Sequence, residues 1–236
     1  RIAARRLGRN RMMAADVQAR LAFFHRQYYD YDRISYRIMI LYGGAESMAE
    51  RTKIWIADTM NRLLQRKSIE NIRVTEICRE AEIERPTFYY HFRDKYELMA
   101  WMFCRKALGT DILSVESAAK SMNGMRQDFI FYKRAYEDHS QNPMWSYMVG
   151  YFAERYVRLA KEKLGTETLD ARLQYCIRLY CHGAVGMTRE WLLKDNITPA
   201  ETVVRMMLDA MPEAMRRVYF SDEDGTAWQK AKQGSQ

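Results

Sequence analysis

Along residues 50–65 the apolar positions Ile54, Ala57, Met60, Leu63 and Leu64 recur every three or four residues, which predicts an amphipathic helix. A second face of the same repeat, Val74, Ile77, Cys78 and Ala81, carries Thr75, Glu76, Arg79 and Glu80 on its wet side. The turn Glu82-Ile83-Glu84 follows, with Ile83 directed inward. Pro86 then stands where a first helical turn accepts a residue without an amide hydrogen, so a third helix begins near Arg85. Phe88 and Phe92, at i and i+4, face inward and leave Arg85, Thr87, Tyr89, Tyr90 and His91 outward or sideways. Those five include no acid. Two short helices joined by a tight turn, the second rich in groups that bind phosphates and base edges, predict a helix-turn-helix.

The pattern stays helical downstream. Asp94 is placed to cap a helix bearing Leu98, Trp101, Met102 and Arg105. Further helices are expected over residues 124–140, 143–164, 169–194 and 199–219, with breaks at Asn142-Pro143, Gly165-Thr166 and the run from Asn196 to Pro199. Beyond Phe220 the polar sequence reads as a frayed tail. With four Pro, eleven Gly and almost no β-branched runs in 236 residues, the expected class is all-α. The expected division is an extension over 1–46, a three-helix domain with the helix-turn-helix over 47–93, a helical body over 94–220 and a tail over 221–236.

Charge changes this picture by its placement. Of the formal net charge of +8, residues 1–46 carry 9 basic and 4 acidic side chains, residues 47–106 carry 12 and 9, and the remainder 17 and 17. A polyanion is therefore attracted to the half that contains the helix-turn-helix. The four cysteines form no CxxC pair and have no histidine at zinc-finger spacing, so free thiols and no metal site are expected. No apolar run reaches membrane-spanning length, and a cytoplasmic protein is the expectation.

The string from Pro86 to Lys95, PTFYYHFRDK, resembles the recognition helix and following turn of the tetracycline-repressor (TetR) family, whose common pattern runs T-F-Y-x-[HY]-F-x-[SDN]-K. The resemblance implies that Arg85, beside Pro86 at the helix start, reaches a base edge, where its planar fork suits guanine. It also implies that Thr87, Tyr89 and His91 grip phosphates, that Tyr90 touches the backbone or a thymine methyl, and that Lys95 binds phosphate at a positive helix end. Thr75 and Arg73 join this set. Two positions depart from the family. Glu82 replaces the usual turn glycine, so it must adopt a left-handed conformation or the turn is rebuilt. Arg73 replaces a frequent Thr, which puts the capping or phosphate contact there in doubt unless the Arg supplies it. The run DKYELMAWMF is similar to the branch typified by the regulator of bacterial dihydroxyacetone-kinase operons, some of whose members work with a protein partner.

The resemblance further implies a homodimer on a palindromic operator. In position, the helices over 169–194 and 199–219 match the family's four-helix dimer interface. Gly183 and Gly186 allow close approach, and Met187, Trp191, Val203, Met206, Met207 and Ala210 supply an apolar surface. Aromatic density between Phe129 and Tyr156 suits either core or a pocket for a flat, apolar inducer. Trp101, Tyr132, Tyr136, Trp145, Tyr175 and His182 are the pocket candidates. The expected function is a repressor released by a small-molecule inducer, with a regulator controlled by a protein coregulator as the alternative. A helical enzyme has no nucleophile elbow, phosphate loop or paired carboxylates to support it, and no cofactor is expected. Residues 1–46, with nine Arg and no Lys, read either as an upstream segment without evolved function, Met48 being a natural start, or as an arm entering the minor groove.

Overall fold

A computed structural model describes residues 48–220 except Asn142 and Asn196. Both readings of the 1–46 extension, and the expected tail over 221–236, lie outside the described residues. Within them the chain forms ten helices and no strand. These are α1 (Met48–Leu64), α2 (Val74–Glu80), α3 (Arg85–His91), α4 (Lys95–Ala107), α5 (Val115–Gln127), α6 (Phe129–Tyr136), α7 (Met144–Leu164), α8 (Ala171–Lys194), α9 (Ala200–Asp209) and α10 (Glu213–Tyr219).

The first three helices pack on one another around Ile56, Met60, Ile77 and Phe88, all closed to solvent. Helix α4 is started by Asp94, whose carboxylate accepts the amides of Tyr96 and Glu97 at 2.9 and 2.8 Å, so that expected cap is present. Its residues from Leu98 to Cys104 are all buried, because one side meets the small domain and the other meets the body. Trp101 stacks edge-on against Phe92 with centroids 5.7 Å apart. Phe103, half a turn on, meets Tyr147, Tyr151 and Phe152 of α7.

Two of the expected body helices prove to be broken. The stretch 124–140 is the end of α5, a stop at Asp128 and then α6. Asp128 leaves the helical region at φ −95° and ψ 28°, and its carboxylate takes the Lys106 ammonium at 2.7 Å. Helix α5, absent from the sequence reading, hides in a polar, Gly-containing run of which only Val115, Ala119, Met122 and Met125 are buried. The stretch 199–219 breaks before Pro212, which has no amide hydrogen to continue the ladder of α9. The other two were legible: α7 stops at Gly165 with φ 61°, a left-handed end that glycine accepts, and Asp170 caps α8 by accepting the Leu173 amide at 2.9 Å. Helices α7, α8 and α10 pack together, and α9 lies along α5.

Candidate nucleic-acid interface

Helix α3 is only seven residues long and has no side-chain cap, so its position comes from packing. Phe88 is its fully buried anchor. The turn that delivers it is closed by the Ile83 amide on the Cys78 carbonyl at 3.0 Å, with Ile83 packed against the core. Glu82 takes φ 52°. Of the two outcomes weighed for the missing glycine, the strained one holds: the turn keeps its shape and the Glu is left-handed. Trp55 adds a tie the sequence pattern does not show, its indole donating to the Ala81 carbonyl at 2.8 Å and holding α1 to the end of α2.

This packing leaves one exposed polar and aromatic surface. Tyr90 is 77% exposed and Tyr89 47%, and Arg85 and Pro86 are exposed beside them. The Arg85 guanidinium lies 5.9 Å from the Tyr89 ring, a cation–π distance that orients the side chain along the helix face. Thr87 is half-buried. His91 is also half-buried, near Lys53 and Glu50 of α1; burial, then the Lys53 charge, holds it below its ordinary value, with Glu50 opposing. At neutral pH it therefore offers a neutral imidazole, a hydrogen-bonding group without charge. Arg73 and Thr75 are exposed at the start of α2, and Arg73 makes no cap bond.

Lys95 stands differently from its expected phosphate-gripping role. Its ammonium donates to the carbonyls of Glu70 and Ile72 at 2.9 and 2.8 Å, so two of its three protons hold the loop between α1 and α2. Burial is the main cause that lowers its pKa. Glu70 in turn accepts the His139 amide at 3.0 Å from the loop after α6. Together with Arg105 on Glu50 at 3.0 Å and Arg134 on the Leu64 carbonyl at 3.3 Å, these contacts join the small domain to the body.

Within the body a cavity of about 120 Å³ opens between α4, α5, α6, α7, α8 and α9. Tyr132 and Tyr136 line it as expected; the other four candidates do not. Trp101 faces the small domain, between Phe92 and the cations of Lys53 and Arg105. Trp145 lies on the partly exposed first turn of α7, while Tyr175 and His182 point outward from α8. Sequence reasoning missed Phe103, Met148, Phe152, Tyr156 and Tyr180. The signal was present in the i, i+4, i+8 spacing of Met148, Phe152 and Tyr156, one stripe of α7.

The dimer candidates divide in the same way. Gly183, Gly186, Met187, Met206 and Ala210 are exposed, and the three of them on α8 continue the exposed side that begins with Tyr175 and Leu179. Trp191 and Val203 are buried within the chain itself. The Trp191 indole donates to the Thr198 carbonyl at 2.8 Å and carries the Arg126 guanidinium over its ring, so large apolar size made it look like interface when it is core. Met207 is half-buried at the cavity, its carbonyl accepting the Tyr180 hydroxyl at 3.1 Å.

A short helix anchored by a buried aromatic, exposing an arginine and two tyrosines, and joined by its following helix to a helical body, defines a helix-turn-helix DNA-binding regulator. Residues 56–101 match the family model described as bacterial regulatory proteins, tetR family. A solved structure described as "Dihydroxyacetone kinase operon activator DhaS" aligns over 71% of this chain and 96% of its own at 18% identity, with a TM-score of 0.48. No curated protein matches the chain. Among the described residues no helix is long and apolar enough to cross a membrane.

Proposed function

We propose that the protein is a dimeric repressor that reads a palindromic operator with α3 and is released when a small molecule enters the body cavity. The single observation that carries this reading is the exposed face of Arg85, Tyr89 and Tyr90 on a helix that bears no acid, raised on the fully buried Phe88. Arg85 reads a base edge, while Tyr89, Thr87 and Arg73 position the helix on phosphates. The exposed stripe of Tyr175, Leu179, Gly183, Gly186 and Met187 pairs with its copy across a two-fold axis, which sets two recognition helices about one turn of DNA apart.

Helices α4 and α6 are the links from cavity to DNA. Phe103 lines the cavity and Trp101, on the other side of α4, packs on Phe92. Tyr132 and Tyr136 line it too, and between them Arg134 reaches α1. A ligand that binds best when these helices are shifted favours a spacing unsuited to adjacent major grooves. The alternative, control by a protein partner, finds its support in the same exposed stripe of α8. Binding of operator DNA by Arg85→Ala and Tyr89→Ala variants tests the reading. Each is expected to weaken binding at least tenfold while sedimentation still gives the parent's dimer; parental affinity in both variants would refute the role of α3.

A further inference from the structure

The cavity in the body has a polarity that specifies what it takes. No Asp, Glu, Lys, Arg or His is among its lining residues. Three of its hydroxyls are already used: Tyr156 donates to the Ile112 carbonyl at 3.4 Å, Tyr180 to Met207 at 3.1 Å and Thr188 to Ala184 at 2.8 Å. Among the lining residues that are buried, Tyr132 and Tyr136 have hydroxyls without such a bond. Both residues are more than nine-tenths buried, they stand one turn apart on α6, and neither hydroxyl meets a hydrogen-bond partner among the described residues. Neither is sealed in, because Ser140 Oγ is the one fully enclosed side-chain polar atom without a partner among those residues. A buried hydroxyl without a partner is costly to the fold, so two of them opening on one cavity await an acceptor.

Burial also keeps both phenols protonated, raising them above the ordinary tyrosine value, for Tyr132 with a further push from Asp128 and for Tyr136 against the opposing charge of Arg189. They therefore offer donors. The rest of the wall is apolar and adjustable, with Phe103 and Phe152 set edge to face at 6.0 Å and Met122, Met125, Met148 and Met207 around them. A cavity of about 150 Å³ accommodates a benzene ring, and this one is about 120 Å³, so a single ring is the upper scale of the occupant, and a short substituent fits only as the flexible methionines of the wall yield. A charged ligand would be desolvated here with no charged side chain on the wall to pair with it.

We infer that the cavity binds an uncharged, single-ring molecule bearing a carbonyl, with Tyr132 and Tyr136 donating hydrogen bonds to the carbonyl oxygen and the ring lying against Phe103 and Phe152. The inference deepens the ligand-released reading above and rests on that reading for its regulatory meaning.

Titration calorimetry of the full chain with acetophenone, ethylbenzene and benzoate tests it. Acetophenone is expected to bind at least tenfold more tightly than ethylbenzene, and benzoate to give no heat at the same concentration. In the Tyr132→Phe, Tyr136→Phe double variant the two neutral probes are expected to bind equally, with ethylbenzene unchanged from the parent as the control for an intact cavity. Equal binding of the neutral probes to the parent, an acetophenone advantage that survives in the double variant, binding of benzoate, or no binding of acetophenone each overturns the inference. Operator affinity measured on the same samples separates the two claims: acetophenone that binds through the tyrosines without weakening operator binding leaves the ligand class standing and removes the ligand-released reading.

Discussion

The ammonium of Lys95 donates to the carbonyl of Ile72 at 2.8 Å, so the first residue of the connecting helix holds the loop that leads into the first helix of the DNA-binding motif. Replacing it with methionine keeps the length and removes the donors. Two carbonyls then lose their partner, and Lys95→Met is expected to destabilise the protein by about 1–3 kcal/mol in urea unfolding. A variant as stable as the parent would leave Lys95 with DNA contact as its role.

Glu82 holds φ 52° with an ordinary Cβ. The left-handed conformation costs a non-glycine residue roughly 1–2 kcal/mol, of which glycine's greater chain entropy returns a part. Glu82→Gly is therefore expected to stabilise the protein by about 0.5–1 kcal/mol. Thermal unfolding decides it, and a lowered midpoint would mean the Glu side chain is an asset to the turn.

His91 is pushed below its ordinary value, first by burial and then by Lys53; His182 is lowered too, by burial and Arg178. For each, the unfolded chain binds the proton more readily than the folded one. Stability from these groups is thus complete above pH 6.5, the ordinary value, and falls as pH drops below it. Unfolding midpoints are expected to decline from pH 7 to pH 5.5, less steeply in the His91→Gln variant. The carboxylates held low, such as Glu76 with its Lys67 partner at 2.6 Å, act only in more acid solution.

Cys78, Cys104 and Cys181 are buried, and Cys176 is partly open. Burial raises the Cys104 thiol to about 11 and the Cys181 thiol to about 12. Native-state alkylation at pH 8 is expected to label Cys176 first and the other three only on unfolding. Rapid labelling of Cys181 would show that the cavity wall opens.

The small domain was far more legible than the body, for a physical reason. Its helices each bury one face, so apolar spacing identified Ile77, Cys78 and Phe88, and a positive-φ turn leaves few choices at Glu82. Helices α4 and α8 are covered on several sides, and their apolar residues face different neighbours. Trp101 and Trp191 therefore read from the sequence as pocket and interface. Each is held by contacts distant in the chain, Trp101 by Phe92 and Lys53 and Trp191 by Arg126. The links from Arg134 to Leu64 and from Glu70 to His139 involve a backbone group on one side, and a sequence pattern carries no mark of such a group.

The most direct test of the central claim is binding of the purified protein to DNA flanking its own gene, titrated with salt, against scrambled DNA of equal length. The account predicts saturable binding of a dimer to the flanking DNA with a steep salt dependence, and a preference over scrambled DNA that persists at physiological salt. Equal binding to both DNAs at low salt, lost from both together as salt rises, would contradict it.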